Sequence, residues 1–340
     1  MVPERRLAAR RSVIPIEHPR LRGYTPMDIL AAIYLTVTGI ILAIGHDRVN
    51  GGGTYLLIHL GLLAATLLMR FVPRRGHILL MFFRDSYALW LLAFFYREVG
   101  VLDRIIWSGF FDAQVLQWEK AVFGLFPSVF LRDWIPSRAL DEFLHFSYIM
   151  YYLLVPIVGF WLYLKGREEV CRVFASTMLL TFFTCYLIFI FFPVAGPYYV
   201  FPREASISGF FPPLVHRVLE SGASKGAAFP SSHVAGAVAV FCVTLRFERE
   251  LSLLMGTLAL GIFLGTVYGG FHYGVDALAG LALGVVLSLV GPALHSVLLR
   301  QARLWPLSIR FPHLFDPIRR KLWGLRPRDR QETPEEKTRY

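Results

Sequence analysis

Eight apolar runs dominate this chain, at residues 27–45, 54–72, 77–96, 142–165, 171–192, 232–247, 251–269 and 274–298. A helix needs about 20 mainly apolar residues to cross a bilayer, and most of these runs meet that length. A chain folding in water has no core large enough to hide them all. Composition agrees: charged residues make up 17% of the sequence, against about 25% in soluble domains, and mean hydropathy is +0.52. A soluble enzyme, a disordered chain and a nucleic-acid binder are thereby excluded. The prediction is an all-α, polytopic membrane protein with about eight transmembrane helices. The third run is the weakest, because Arg84 and Asp85 interrupt it, and the sixth is short. The segment before the first run, with Arg5, Arg6, Arg10 and Arg11, is too long and too basic for a signal peptide, so the first run reads as an uncleaved helix.

Net charge is +11, from Lys+Arg 35 against Asp+Glu 24, with much of it near the two ends. In a membrane protein such bias reports orientation. Placing the basic residues inside puts both tails, Arg74 and Arg75, the 165–172 connection, and Arg246 and Arg249 on the cytoplasmic side. The outer connections are then 46–53, 97–141, 193–231 and 270–273. The first of the two long ones carries Trp107, Trp118 and Trp134 and reads as interfacial helices. The second, with Pro193, Pro197, Pro202, Pro212, Pro213 and Pro230, cannot be one helix. Cys171, Cys185 and Cys242 lack metal or disulfide spacing and read as packing residues. The basic C-terminal tail reads as a contact for anionic lipid rather than nucleic acid.

Two segments carry chemistry. One is Phe229-Pro230-Ser231-Ser232-His233; the other is Tyr268-Gly269-Gly270-Phe271-His272-Tyr273-Gly274-Val275-Asp276. The topology sets both at the outer face, each before a helix running inward. Free N–H groups and the positive dipole end of a helix attract an anion such as phosphate. Ser231 and Ser232 can cap the helix or donate to phosphate oxygens. His272 and Asp276 are four apart, so a carboxylate can fix the imidazole tautomer and leave the other nitrogen to attack. His233 can serve as general acid on the leaving oxygen. Taken singly, each motif is an ordinary cap or an i, i+4 pair; their meeting on one membrane face favours function. Two histidines and a carboxylate can also hold a divalent metal, which stays open as an alternative.

These residues resemble the type 2 phosphatidic acid phosphatase superfamily of membrane lipid phosphatases and phosphotransferases. Pro230-Ser231-Ser232-His233 stands where that family has Pro-Ser-Gly-His, and His272 and Asp276 match the His and Asp of its last motif. The resemblance, over roughly 193–298, implies a phosphohistidine on His272, with Asp276 orienting the ring and His233 protonating the leaving group. It implies no metal and no other cofactor. Gly265 and Thr266 replace the family's Ser-Arg, and the first motif (Lys, six residues, Arg-Pro) has no outer-face match. Lys165 and Arg172 have its spacing, but Val173 follows and their loop is on the wrong side. Thr266, Tyr268, His272-Tyr273 and Asp276 look most like the inositol-phosphorylceramide synthase branch, which also has a Pro-rich segment before the helix. With the usual cations missing, Arg203, then Lys225, then Arg217 are the candidates to offset phosphate charge, and Tyr268 is a further substrate-binding candidate.

The expected organisation is a basic tail 1–26, accessory spans and an interfacial segment 27–141, a catalytic helical core 142–298, and a basic tail 299–340. The expected activity is a membrane lipid phosphatase or phosphotransferase acting on a phospholipid or lipid phosphate, leaning towards headgroup transfer to a polyol or lipid alcohol. A non-catalytic lipid binder or transporter on the same fold is the competing reading, as is a metal-dependent membrane hydrolase. Arg84 is expected to snorkel to the interface from a helix that starts later; the other reading has Arg84 and Asp85 bracing helices. His145, Tyr148, Tyr151 and Tyr152 read first as interfacial anchors and second as the lining of an entrance. Gly261, Gly265 and Gly269, with Gly280 and Gly284, form a small-residue seam expected to hold the two helices flanking His272 together.

Overall fold

The computed structural model describes residues 23–72, 77–201, 209–222 and 224–304. The helices are α1 (Pro26–Gly45), α2 (Gly52–Leu68), α3 (Ile78–Trp90), α4 (Leu92–Ile106), α5 (Asp112–Phe123), α6 (Pro127–Trp134), α7 (Arg138–Leu164), α8 (Glu168–Phe191), α9 (Pro197–Val200), α10 (Phe211–Gly222), α11 (Ser232–Phe247), α12 (Arg249–Tyr268) and α13 (Gly274–Leu304). The basic tails, Arg74, Arg75 and Arg203 lie outside the described residues.

Among the described residues seven helical stretches are long and apolar enough to cross a membrane. The protein is thus an integral membrane protein. The third run is one such stretch, Ile78–Ile106, comprising α3 and α4 with a break at Leu91. The sixth expected span, α11, has 16 residues. At 1.5 Å per residue it is about 24 Å long, short of the ~30 Å hydrocarbon core. Its surroundings explain the shortness: every residue from Ser231 to Val240 is buried, and α7, α8 and α12 wrap it. A helix so enclosed need not match the lipid.

Helix α8 joins the two halves of the bundle, packing on α1, α3 and α4 on one hand and on α7 and α11 on the other. Tyr34 of α1 stacks on Phe183 of α8 with ring centres 4.1 Å apart.

The snorkelling reading of Arg84 does not hold. Helix α3 starts at Ile78, so Arg84 sits nearly two turns inside it and is 1% exposed. Its guanidinium donates to both carboxylate oxygens of Asp28, at 3.0 and 2.7 Å, and Tyr87 donates to the same group at 2.8 Å. Next to it, Asp85 accepts from Arg172 at 3.1 Å and Tyr163 at 2.7 Å. The two adjacent charges therefore brace α3 against α1 on one side and against α7 and α8 on the other. A further buried polar link has His59 Nδ1 3.0 Å from Glu98 Oε1 and Nε2 2.7 Å from the Leu35 carbonyl.

The glycine seam is real but binds other partners. A Cβ on Gly265 would lie 2.9 Å from the Leu144 carbonyl, and one on Gly261 would collide with Ser147, so α12 approaches α7. A Cβ on Gly280 or Gly284 would lie 2.5 Å from the Ser231 carbonyl or 2.6 Å from that of Ala235, so α13 approaches α11. The seam thus fixes each flanking helix to a different neighbour, and it draws α13 against the start of α11, where His233 stands.

Candidate active site

His272 is presented by the turn between α12 and α13. Gly270 has φ +70°, its N–H donates to the Val267 carbonyl at 3.0 Å, and Phe271 N–H reaches back to Thr266 at 2.9 Å. These paired bonds close the helix in a left-handed glycine cap. Gly270 is needed for it, since β-carbons resist that conformation, whereas Gly269 is right-handed and leaves room for the Phe271 ring. His272 N–H also donates to Thr266, at 3.0 Å. Helix α13 then opens with Asp276 Oδ2 accepting from Tyr273 N–H at 2.8 Å, the return half of a capping box.

Ring orientation comes from an unexpected group. His272 Nδ1 lies 2.9 Å from the Ala228 carbonyl, an atom that can only accept, so Nδ1 carries a proton and Nε2 holds the lone pair. Asp276 Oδ2 is 3.7 Å from Nδ1, beyond a hydrogen bond but near enough to favour positive charge on the ring. Ala228 is held by the isolated bridge between Val194 and residues 226–227, where Val194 N–H donates to Gly226 and Ala228 N–H to Val194, both at 3.0 Å. The Pro-rich segment standing where the first motif is missing thus builds the wall that aims His272.

His233 is the second residue of α11. Its Nδ1 lies 3.5 Å from His272 Nε2. Tyr148 stacks on its ring at 4.8 Å and Tyr151 packs at 4.3 Å. These two tyrosines therefore belong to the site and are not interfacial anchors. His145 turns elsewhere, with Nδ1 2.8 Å from the Asp141 carbonyl. Ser231 caps α11, its hydroxyl accepting from Val234 N–H at 3.4 Å, while its own N–H donates to the Asp276 carbonyl at 3.0 Å. The first turn leaves the amides of Ser232 and His233 without intrahelical partners, which suits an anion.

A cleft opens on His233 and His272, lined by Tyr96, Tyr148, Tyr198, Tyr199, Ser224 and Phe271 among others. Burial pushes the phenols of Tyr198 and Tyr199 up, so both remain hydrogen-bond donors at neutral pH.

The other expected binding residues divide. Lys225 lies one ring away from the cleft, its ammonium 5.5 Å from the centre of Tyr199 and 5.2 Å from that of Phe110. Ser232 is buried at the start of α11. Arg217 is on the exposed face of α10, and Arg203 lies outside the described residues. Tyr268 does not line the cleft; its hydroxyl donates to the Ile135 carbonyl at 3.0 Å and ties α12 to the end of α6. Lys165 and Arg172 are engaged at the far ends of the helices, Lys165 with Glu248 at 3.4 Å and Arg172 with Asp85. Among the described residues no three His, Cys, Asp or Glu side chains are grouped as a metal ion would need.

Two acidic residues escaped the sequence reading. Asp112 accepts from the amides of Ala195 and Gly196 at 2.8 and 2.9 Å and from the Tyr273 hydroxyl at 3.0 Å. Glu119 accepts from the amides of Gly274 and Val275, both at 2.9 Å. Their spacing of seven, two helical turns, was the available signal.

In comparison with known proteins, a family model described as the PAP2 superfamily matches residues 113–290. That is more than half of the chain, and it starts in α5, earlier than the 193–298 expected. No curated protein matches, and neither does any solved structure.

Proposed function

The chain belongs to the PAP2 superfamily, and from that premise we propose that it is a membrane enzyme transferring a phosphoryl or phospho-headgroup unit from a lipid through a phosphohistidine on His272. The observation that carries the reading is the facing of two buried imidazoles across 3.5 Å, with the His272 tautomer set by the Ala228 carbonyl.

In the first step Nε2 of His272 attacks phosphorus. The P–N bond forms, the P–O bond to the leaving group breaks, and the proton on His233 passes to the leaving oxygen. The ring, now cationic, is stabilised by Ala228 O and the nearby Asp276 carboxylate. In the second step an acceptor oxygen attacks phosphorus, its proton returns to His233, and the P–N bond breaks. Phosphoryl transfer needs mainly positioning and charge compensation; the amides opening α11, the tyrosine hydroxyls and Lys225 support that role. Water as acceptor makes a lipid phosphatase, and an alcohol makes a synthase. The third-motif likeness to the inositol-phosphorylceramide synthase branch favours the alcohol. The basic connections favour cytoplasmic termini, with the cleft on the opposite, extracytoplasmic or lumenal, face.

The test uses purified protein in detergent with EDTA, given phosphatidic acid or phosphatidylinositol, each with and without inositol or ceramide. Free phosphate and new lipids are both followed. A new phospholipid with little phosphate release is the expected result. Phosphate release alone would establish the phosphatase instead, and activity abolished by EDTA would replace this reading with a metal-dependent hydrolase.

A further inference from the structure

Helix α5 has 12 residues and is not among the seven spanning stretches, yet it buries two carboxylates on one face. Asp112 is 8% exposed and Glu119 is 0% exposed. Among the described residues neither has an ion-pair partner within 4 Å. Burying a carboxylate is unfavourable unless hydrogen bonds replace its water, and here backbone amides do so. Packing alone would be met by apolar side chains, so the choice of two carboxylates calls for another reason.

Resting on the function proposed above, we propose that Asp112 and Glu119 are positioning residues that clamp both sides of His272 and hold its ring in the attacking tautomer. Asp112 grips the amides of Ala195 and Gly196. The residue before them, Val194, pairs with Ala228, and the Ala228 carbonyl takes the Nδ1 proton of His272. Asp112 therefore acts on the ring through three consecutive contacts. It also takes the Tyr273 hydroxyl, from the residue beside His272. Glu119 holds the amides of Gly274 and Val275, the second and third residues after His272. One rigid helix thus fixes the acceptor of the ring proton and the backbone carrying the ring. Loss of either grip lets Ala228 O and His272 Nδ1 separate, and with them the preference that keeps Nε2 unprotonated. Misplacement of a reacting group by about 1 Å can slow a reaction ~100-fold.

The test compares Asp112→Asn and Glu119→Gln with the full-length wild type and His272→Ala in detergent, using whichever of phosphatidic acid and phosphatidylinositol turns over faster. Melting temperature is recorded for each. Either amide presents an NH2 group where a backbone N–H needs an acceptor. Expected is a fall in kcat of about 10–100-fold in each variant, per folded molecule, with KM within about threefold. A purely structural role lowers yield and melting temperature and leaves that kcat at the wild-type level, which overturns the proposal. So does a raised KM at unchanged kcat, which assigns α5 to substrate binding. If Asp112→Asn yields no folded protein, Glu119→Asp decides: it keeps the charge, withdraws the acceptors by one methylene and should show the same loss of kcat. His272→Ala separates the two claims. Activity surviving in it removes the function reading and the clamp together, whereas an inactive His272→Ala beside fully active α5 variants removes the clamp alone.

Discussion

His272→Ala lowers turnover of lipid phosphate by at least about 10³–10⁴-fold, and the protein still folds. The size follows from the role, because removing a nucleophile that acts with its partners as a unit forfeits most of their joint effect. No neighbour can take its place. His233 is 3.5 Å away, but its ring is packed against Tyr148 and Tyr151 and its proton is needed at the leaving oxygen. His233→Ala should therefore cost less, within the ~10²–10⁴-fold of general acid catalysis. Folding survives because His272 belongs to a loop closed by its own backbone bonds to Thr266. The assay is lipid turnover per folded molecule. Wild-type lipid handling in His272→Ala would support a non-catalytic binder or transporter on this fold.

The second large effect falls on stability. Arg84→Met should destabilise the protein by about 3–5 kcal/mol, since it strands a buried carboxylate. Asp28 is 0% exposed and would keep only the Tyr87 hydroxyl and the Thr25 amide as donors. The double variant Arg84→Met with Asp28→Leu should recover most of the loss, because a matched apolar pair removes both desolvation penalties. Unfolding in mixed micelles measures both. An Arg84→Met protein as stable as the wild type would mean that the pair contributes nothing. Activity of the folded fraction should persist, as Asp85 meets Arg172 near the start of α8, whereas the catalytic segments follow its end.

Legibility differed between levels of the structure. Spans were readable because a bilayer imposes length and apolarity on each helix. The candidate histidines stood out because helix starts carry local signals: the Ser231 cap and the Gly269-Gly270 turn are written in adjacent residues. Long-range partners were not. Nothing near Arg84 names Asp28, 56 positions away, so a buried ion pair looked like a snorkelling side chain. Nor does anything near His272 name the Ala228 carbonyl, since a backbone acceptor has no residue signature; Asp276 looked like the orienter only because it stands at i+4. The glycine spacing announced close approach, but not which helix approaches. Tyr268, in a motif with His272, was read as a binding residue although it points to Ile135. Asp112 and Glu119 lay in a segment taken as interfacial, where acidic residues look solvated.

The central claim is a covalent phosphorus–nitrogen bond on His272, and acid-labile phosphoenzyme is its direct measure. Protein carrying His233→Ala, incubated with a phosphate-labelled lipid phosphate ester whose leaving group is acidic enough to depart without protonation and quenched rapidly in alkali, should retain label, because formation then needs no acid while loss of the returning base slows breakdown of the intermediate. Peptide mapping should place that label on the fragment containing His272, and mild acid should release it. Label that survives acid, maps to another residue, or persists when His272 is also replaced would contradict the account.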